Sequence, residues 1–298
     1  MLGRVLVTGA TGFLGLPLVA RLVERGARVT ALARSLEGAD LPDAVERLPA
    51  DLTSADSLEA LAPWRWDAVV NLAGPVAKGV ETFEQGTVTA TAHVRIALHL
   101  LRALPPGFSG RVVHTSSMTV YGLPSSLPVP EDAPRRPIHL YGLGKSLADE
   151  VFLAQRGTFD TWILRLPGLF APWRKGGALF HFARAARRGD PLRVTAAEPI
   201  AWDILDVRDA AESIVRALAS DHRSPGALNV SYGEPVEIVA MARRVAQMAG
   251  RGSQVIGPEG VTHPVFQLDI TRARSLLGWP PFTLESRLAE LLASVEET

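Results

Sequence analysis

The sequence contains no cysteine, which excludes disulfide bonds, thiol nucleophiles and zinc–thiolate sites. Its 31 Lys and Arg residues balance 31 Asp and Glu residues, so charge gives no reason to expect a nucleic-acid or membrane partner. No apolar run approaches the ~20 residues of a membrane helix, and the start leaves no room for a signal peptide. No histidine spacing indicates a metal site. We expect a cytoplasmic protein with a small-molecule partner.

The 298 residues are 47% apolar and 21% charged, a composition typical of one large folded domain or two smaller ones. Short apolar runs alternate with helix-periodic segments along the chain. That alternation predicts an α/β fold with a parallel sheet.

A glycine-rich segment follows the first apolar run. Residues 4–7 form that run, Gly9, Gly12 and Gly15 follow it, and apolar residues at helical spacing occupy 14–23. In a strand–loop–helix unit the first glycine makes the turn, the second lets the backbone approach a pyrophosphate, and the third lets the helix pack on the strand. The helix N-terminus offers free N–H donors to phosphate. The segment predicts a dinucleotide site.

The second predicted strand, residues 27–33, ends without the acidic residue that selects NAD in such units. Ala33 stands at that position and Arg34 follows it. An arginine there accommodates the 2′-phosphate of NADP. The pattern predicts a preference for NADP(H) over NAD(H), with a solvated surface arginine as the alternative.

A third predicted strand, residues 45–49, leads to Asp51. This carboxylate is suited to bind an adenine amino group or to cap a helix that begins near Ser54. The sequence leaves both roles open.

Tyr141 and Lys145 are four residues apart on a predicted helix and therefore share one face. A phenol has a pKa near 10, and a nearby ammonium favours its ionised form. Ser117 lies at the end of a fifth predicted strand, where parallel sheets bind ligands. A tyrosine, a lysine and a serine so placed can exchange a proton with a carbonyl or an alcohol during hydride transfer.

Six segments, in this order, resemble the extended short-chain dehydrogenases/reductases, the NAD-dependent epimerase/dehydratase group. They are the glycine motif at 8–15, the serine strand at 115–122, the Tyr-x-x-x-Lys motif at 141–145, the sixth-strand segment at 164–170, the return segment at 204–211, and Leu-Gly-Trp-x-Pro-like residues at 276–280.

The resemblance implies a doubly wound, seven-stranded parallel sheet of the Rossmann type and a small, discontinuous substrate domain. We expect the cofactor-binding domain at 1–170 plus about 202–222. We expect the substrate domain at about 171–201 plus 223–298, with a helix at 178–188.

Residues 81–104 are predicted to form one long helix whose apolar residues recur at four-residue spacing: Val88, Ala92, Ile96, Leu100 and Leu104. Members of the resembled family often form homodimers through two long helices. The corresponding segments here lie near 85–104 and 141–156, and we expect a homodimer.

The resemblance also implies the site. Its catalytic residues are Ser117, Tyr141 and Lys145, and no metal is expected. The expected cofactor-binding residues are Gly9, Thr11, Gly12, Phe13, Leu14, Gly15, Arg34, Asp51, Leu52, Leu72, Ala73, Gly74, Tyr141, Lys145, Pro167 and Leu169.

Several positions depart from the family pattern. Met118 and Thr119 replace the Asp-Glu pair of sugar dehydratases, so we do not expect dehydration. Gly168 and Trp202 stand where nucleotide-sugar enzymes carry an asparagine and an arginine, which argues against a nucleotide-sugar substrate; Arg174, Lys175 and Arg184 offer other cations. His93 occupies a proton-relay position of many members, or is a structural helix residue.

The leading functional interpretation is an NADP(H)-dependent reductase or dehydrogenase of a small, sugar-like carbonyl or alcohol. The alternative within the family is an epimerase that retains its cofactor. A non-catalytic NADP-binding regulator is the alternative of another class, and the presence of all three catalytic residues argues against it.

Overall fold

The computed structural model describes residues 2–61, 65–76, 82–194, 201–257, 265–279 and 282–295, with the side chains of 58–60 and of Trp202 outside the description. Its strands are β1 (Arg4–Thr8), β2 (Arg28–Ala33), β3 (Glu46–Pro49), β4 (Ala68–Asn71), β5 (Arg111–Ser117), β6 (Asp160–Leu166), β7 (Gly168–Phe170), β8 (Leu192–Arg193), β9 (Ala201–Trp202), β10 (Ile204–Asp206), β11 (Ala227–Asn229), β12 (Val255–Ile256) and β13 (Val265–Phe266).

Helices separate most of these strands. They are α1 (Gly15–Glu24), α2 (Phe83–Ala103), α3 (Leu140–Leu153), α4 (Ala178–Arg188), α5 (Val207–Ala219), α6 (Ile238–Ala249), α7 (Thr271–Leu277) and α8 (Leu284–Ser294). Short 3-10 helices span Ala55–Leu61 and Met118–Tyr121. None of the helices in the described ranges is long and apolar enough to cross a membrane.

The central sheet has seven parallel strands in the order β11-β6-β5-β4-β1-β2-β3, which confirms the predicted doubly wound sheet. The chain adds strands on one side of β1 and then returns to add the rest on the other. The strand order therefore reverses between β1 and β4, and a crevice opens at their carboxyl ends.

Helices cover both faces of this sheet, and successive residues of β1 show why its strands are continuously apolar. Val5 and Val7 face the core that contains Leu18 of α1, whereas Leu6 faces the core that contains Leu100 of α2. A strand buried on both faces needs apolar side chains at every position.

The long helix begins at Phe83, two residues after the predicted start at Glu81, which lies outside the described residues. Thr82 and Gln85 form a reciprocal capping box: the Gln85 N–H donates to Thr82 Oγ1 and the Thr82 N–H donates to Gln85 Oε1. The predicted apolar stripe was wrong at its first member, because 69% of the surface of Val88 is exposed.

The buried face of α2 includes Ile96 and Leu100 of that stripe together with small and polar residues. Thr89, Ala90, His93, Ala97 and Leu100 face the protein interior. Residues at a constant spacing of four move gradually around a helix that has 3.6 residues per turn. A single buried face therefore needs a mixture of spacings of three and four.

The predicted domain division placed residues 223–298 outside the sheet, and one strand there contradicts it. β11 pairs with β6 in register from Ala227 against Ile163, as the seventh strand of the central sheet. Helix α4, at the predicted bounds, packs against α6 and α8 on the side of the second region.

Candidate active site

A cavity of about 920 Å³ lies at the carboxyl ends of β1, β4, β5 and β6. One wall is the loop after β1, and the opposite wall is the start of α3 with the segment after β6. Most of the predicted site residues line it: Gly9, Gly12, Phe13, Leu14, Gly15, Leu72, Gly74, Ser117, Tyr141, Lys145, Pro167 and Leu169.

The glycine loop fits a dinucleotide because its close approaches leave no room for side chains. Gly9 has a φ of +68°, and a Cβ there would lie 2.9 Å from the Ala73 nitrogen. A Cβ on Gly15 would lie 2.6 Å from the Ala10 carbonyl carbon. The loop therefore holds the N-terminus of α1 open toward the cavity, with N–H groups that have no partner within the helix.

A buried polar chain behind this loop was missed in the sequence. Thr8 Oγ1 donates to Asn71 Oδ1 across 2.7 Å and accepts from the Ala73 N–H across 3.2 Å. Asn71 Nδ2 donates in turn to His114 Nδ1 across 3.1 Å. These contacts fix the loop after β4 beside the glycine loop. The available signal was a polar residue at the end of each otherwise apolar strand.

Ser117 ends β5 at the floor of the cavity. Its Oγ accepts from the Thr119 N–H across 3.2 Å and from the Thr119 hydroxyl across 3.0 Å. With both contacts taken as acceptor, the serine's own O–H remains to donate to the Tyr141 phenol.

Tyr141 lies in the first turn of α3 and is largely buried. Burial raises the pKa of its phenol above the ordinary value, and the hydrogen bond with Ser117 offsets part of that rise. The sequence predicted instead that Lys145 would favour the ionised phenol. In this structure the phenol is the stable form, so Tyr141 is poised as a proton donor.

Lys145 is 6% exposed, one helical turn after Tyr141. Its Nζ donates to the Thr115 carbonyl across 2.9 Å. Burial lowers the pKa of Lys145 to about 8, and the negative charge of Asp149 offsets part of that shift. The ammonium is therefore held at the end of β5, close to the serine.

His93 lies against Tyr141, with ring centroids 5.5 Å apart in an edge-on arrangement. Its Nε2 donates to the Pro75 carbonyl across 3.0 Å. Burial, with the charge of Lys145 adding to it, lowers the pKa of His93 to about 3. His93 is thus a neutral ring that holds the loop after β4 against the tyrosine.

A second missed cluster lies beneath α3, away from the cavity. Arg165 donates to Asp149 across 3.3 Å, and also to the Tyr121 hydroxyl and the Glu131 carbonyl across 2.8 Å each. Burial raises the pKa of Asp149 and the charge of Arg165 opposes that rise. An arginine inside the apolar strand β6 was the signal that could have revealed it.

The residues predicted to bind the adenosine part of the cofactor, Arg34 and Asp51, do not line the cavity. Arg34 is exposed just after β2 and Asp51 follows β3. Hydrogen bonds from Thr53 lower the pKa of Asp51, and the charge of Arg34 adds to this, so the two side chains are near each other. Asp51 Oδ1 accepts from both the N–H and the hydroxyl of Thr53, and the 3-10 helix begins only at Ala55.

Besides Arg34 and Asp51, three predicted cofactor residues do not line the cavity. Leu52 packs its side chain in the core, and its carbonyl accepts from His99 Nδ1 across 2.8 Å. The side chain and the carbonyl of Leu52 are therefore both already in contact with the protein. Thr11 is half-buried in the turn before α1, and Ala73 is bound to Thr8 through its N–H.

The wall after β6 carries one position at which the sequence departs from the family, Gly168. This residue lines the cavity and pairs with Ile204. The side chain of Trp202 and all of Pro280 lie outside the described residues. Trp279, in the terminal segment that resembles the family, is buried and donates from Nε1 to the Ser231 carbonyl across 2.7 Å.

Residues 5–231 match the model of the NAD dependent epimerase/dehydratase family. The chain belongs to this family. As predicted, it is an NAD(P)-dependent enzyme of the extended short-chain dehydrogenase/reductase type.

Two relatives of the epimerase/dehydratase family extend over nearly the whole chain. A UDP-glucose 4-epimerase from Mycolicibacterium smegmatis is 30% identical over 99% of this chain and 97% of its own. A dTDP-6-deoxy-L-talose 4-dehydrogenase (NAD(P)(+)) from Kitasatospora kifunensis is 29% identical over 97% of this chain and 94% of its own.

A solved structure supports the same fold. The UDP-glucose 4-epimerase with UDP-glucose from Thermotoga maritima has a TM-score of 0.82 and 20% identity, and the similarity covers 98% of each chain. Taken together, these comparisons support the epimerase alternative better than the reductase that led the sequence interpretation.

Proposed function

We propose that the protein is an NAD(P)-dependent 4-epimerase of a nucleoside-diphosphate sugar. The observation that carries the proposal is full-length similarity to a UDP-glucose 4-epimerase, 30% identical over 99% of the chain. The cavity joins a dinucleotide-type loop at one end to a serine, a tyrosine and a lysine at the other, as hydride chemistry at a hydroxyl carbon requires.

We assign the proton chemistry to Tyr141, supported by Ser117 and Lys145. A nicotinamide bound along Pro167 and Leu169 would take a hydride from the sugar carbon and return it to the opposite face. Tyr141 exchanges a proton with the sugar oxygen, and Ser117, which is hydrogen-bonded to the Tyr141 phenol, helps to hold that oxygen in reach. Lys145 keeps a positive charge near the site that stabilises the oxygen when it carries negative charge.

The residues proposed to hold the cofactor follow from its shape. The glycine loop and the N-terminus of α1 bind the pyrophosphate. Arg34, exposed and beside Asp51, accepts the 2′-phosphate, which gives the proposed preference for NADP(H).

A second candidate is oxidation or reduction at the same carbon without inversion. It is favoured by the 29% identical relative, a sugar 4-dehydrogenase that uses NAD(P)(+). Both reactions need the same proton exchange at Tyr141, so the cavity alone does not separate them.

We also propose a homodimer formed through α2 and α3. The two helices pack side by side and expose five large apolar side chains: Phe83, Val88, Leu98, Leu143 and Leu147. Exposed apolar residues on neighbouring helices favour a second copy that covers them. Sedimentation of the wild type and of Leu147→Glu tests this: we expect a dimer that the charge dissociates, and a monomeric wild type contradicts it.

The function is tested by offering UDP-glucose, UDP-galactose and a dTDP-6-deoxy sugar with NAD(P)+ or NAD(P)H. Epimerisation inverts a carbon without net oxidation, so NMR detects the 4-epimer while nicotinamide absorbance shows no net change. Net absorbance change in proportion to product supports the second candidate instead. Neither product in any combination, with Tyr141→Phe as the inactive control, contradicts the proposed substrate class.

A further inference from the structure

Arg174 lies at the mouth of the cavity between its two walls. Its guanidinium carbon is 4.8 Å from the centre of the Phe13 ring, which belongs to the glycine loop. Its Nη1 donates to the Leu169 carbonyl, on the segment after β6, across 3.3 Å. The side chain is thus fixed from both sides while most of its five N–H donors remain available.

The charges lining the cavity select for an anion. Among the described lining residues, Lys145 and Arg174 are the lysine and arginine side chains, and none is Asp or Glu. Lys145 is buried on the floor and bound to Thr115. Arg174 is exposed, so it is the cation that an entering anion meets first.

Two other arginines stacked on aromatic rings differ from Arg174 in their neighbouring charges. Arg208 lies over Trp173 and Arg287 over Phe282, but each is neutralised by neighbouring carboxylates. In the described part of the chain Arg174 has no such partner. A guanidinium held by stacking and left without a carboxylate keeps its bidentate face free for phosphate.

We propose that the Arg174 guanidinium binds the diphosphate group of an anionic ligand in the cavity. The bound arginine then links the two walls of the cavity. Two sources offer this chemistry: the pyrophosphate of the dinucleotide and the diphosphate of a nucleoside-diphosphate sugar. For the second source the inference rests on the proposed function. The two ligands can be titrated separately, so the source is decided by experiment.

The experiment measures dissociation constants by calorimetry for NADP+, NAD+, UDP, dTDP and uridine. The proteins are the wild type, Arg174→Ala, Arg174→Lys and Arg184→Ala. Arg184 is the matched control, because it also lies over a phenylalanine ring, Phe180, but does not line the cavity. Unchanged melting temperatures establish that each variant is folded.

We expect Arg174→Ala to weaken binding of at least one diphosphate ligand about tenfold or more, the scale of a charge-assisted contact. Arg174→Lys should recover part of the lost affinity, because lysine supplies a point charge. Arg184→Ala should bind every ligand as the wild type does, and the affinity for uridine should be the same in all four proteins. If only the affinities for UDP and dTDP fall, Arg174 binds the diphosphate of the substrate. If only the affinities for the dinucleotides fall, it binds the pyrophosphate of the cofactor.

Equal affinities for every diphosphate in wild type and Arg174→Ala overturn the inference, as does an equal loss in Arg184→Ala. A wild type that binds the dinucleotides but neither UDP nor dTDP contradicts the proposed function instead. In that case the dinucleotide titrations still decide the role of Arg174.

Discussion

Lys145 reaches past Tyr141 and donates from its buried ammonium to the main-chain carbonyl of Thr115, 2.9 Å away. The lysine is thereby tied to the end of β5, where Ser117 lies, rather than to the tyrosine one turn earlier on α3. Its charge is maintained inside the protein against the desolvation that burial imposes. This arrangement has a measurable consequence for stability.

The stability of the protein should rise relative to a Lys145→Met variant as the pH rises above 8. The pKa of Lys145 is about 8 in the folded protein and 10.5 for an unperturbed lysine. Below pH 8 both states carry the charge, and the folded state bears the full desolvation cost. Between pH 8 and 10.5 the folded protein loses its proton first, so that cost disappears.

The difference of about 2.5 pKa units corresponds to about 3 kcal/mol, gained by the wild type over this pH range. Urea denaturation of both proteins at pH 7, 9 and 10.5 measures it, since methionine does not titrate. A difference in unfolding free energy that stays constant with pH would show that Lys145 has an ordinary pKa.

Replacement of Tyr141 by phenylalanine should lower turnover 10²-fold or more, because a positioned proton donor contributes on that scale. Binding of the dinucleotide should be nearly intact, since the ring, its burial and its contact with His93 are preserved. Steady-state kinetics and calorimetry separate the two effects. His93→Gln is the comparison: it alters the ring's neighbour without removing the phenol. Unchanged turnover in Tyr141→Phe excludes the phenol as the proton donor.

The parts of the site that the sequence predicted well are those made by neighbours in sequence. The glycine loop joins a strand to the helix that follows it, and Tyr141 and Lys145 share a face because they are one helical turn apart. Local spacing carries such features without knowledge of the fold.

Local spacing does not predict contacts between segments that are distant in the sequence. Arg174 contacts Phe13, which lies far from it in the sequence. Arg165 contacts Asp149 only because α3 packs on β6. The pKa of Tyr141 also depends on burial, which spacing does not report, so the sign of its shift was predicted wrongly. Val88 was misplaced because periodicity alone does not show which face of a helix a partner covers.

Removal of the Arg34 guanidinium should reduce the preference for NADP(H) over NAD(H). A charge-assisted contact with the 2′-phosphate favours NADP(H) by about 1.5–3 kcal/mol, or roughly 10- to 100-fold. Titration of both cofactors against wild type and Arg34→Ala, followed by tryptophan fluorescence, measures the preference.

The matched control for this titration is Arg28→Ala. Arg28 is also exposed but lies at the opposite end of β2, away from the carboxyl edge of the sheet. Equal affinities of the wild type for the two cofactors, or a preference that survives Arg34→Ala, would assign Arg34 to the solvated surface.

Gly144 offers a test of the packing that positions the catalytic helix. In the structure a Cβ on Gly144 would lie 2.6 Å from the Ala90 Cα and 2.9 Å from its carbonyl oxygen. Both are backbone atoms of α2, so a side chain must push the two helices apart.

We therefore expect Gly144→Ser to destabilise the protein by about 1–3 kcal/mol, the usual cost of overpacking a tight contact. It should also lower turnover, because displacement of α3 moves Tyr141 and Lys145 together. Ala154→Ser adds a hydroxyl at the exposed end of the same helix and should change stability by less than about 0.5 kcal/mol. Urea denaturation and kinetics of the two variants give the comparison. If Gly144→Ser matches Ala154→Ser in both, the close approach of α2 and α3 at Ala90 does not govern the placement of the catalytic pair.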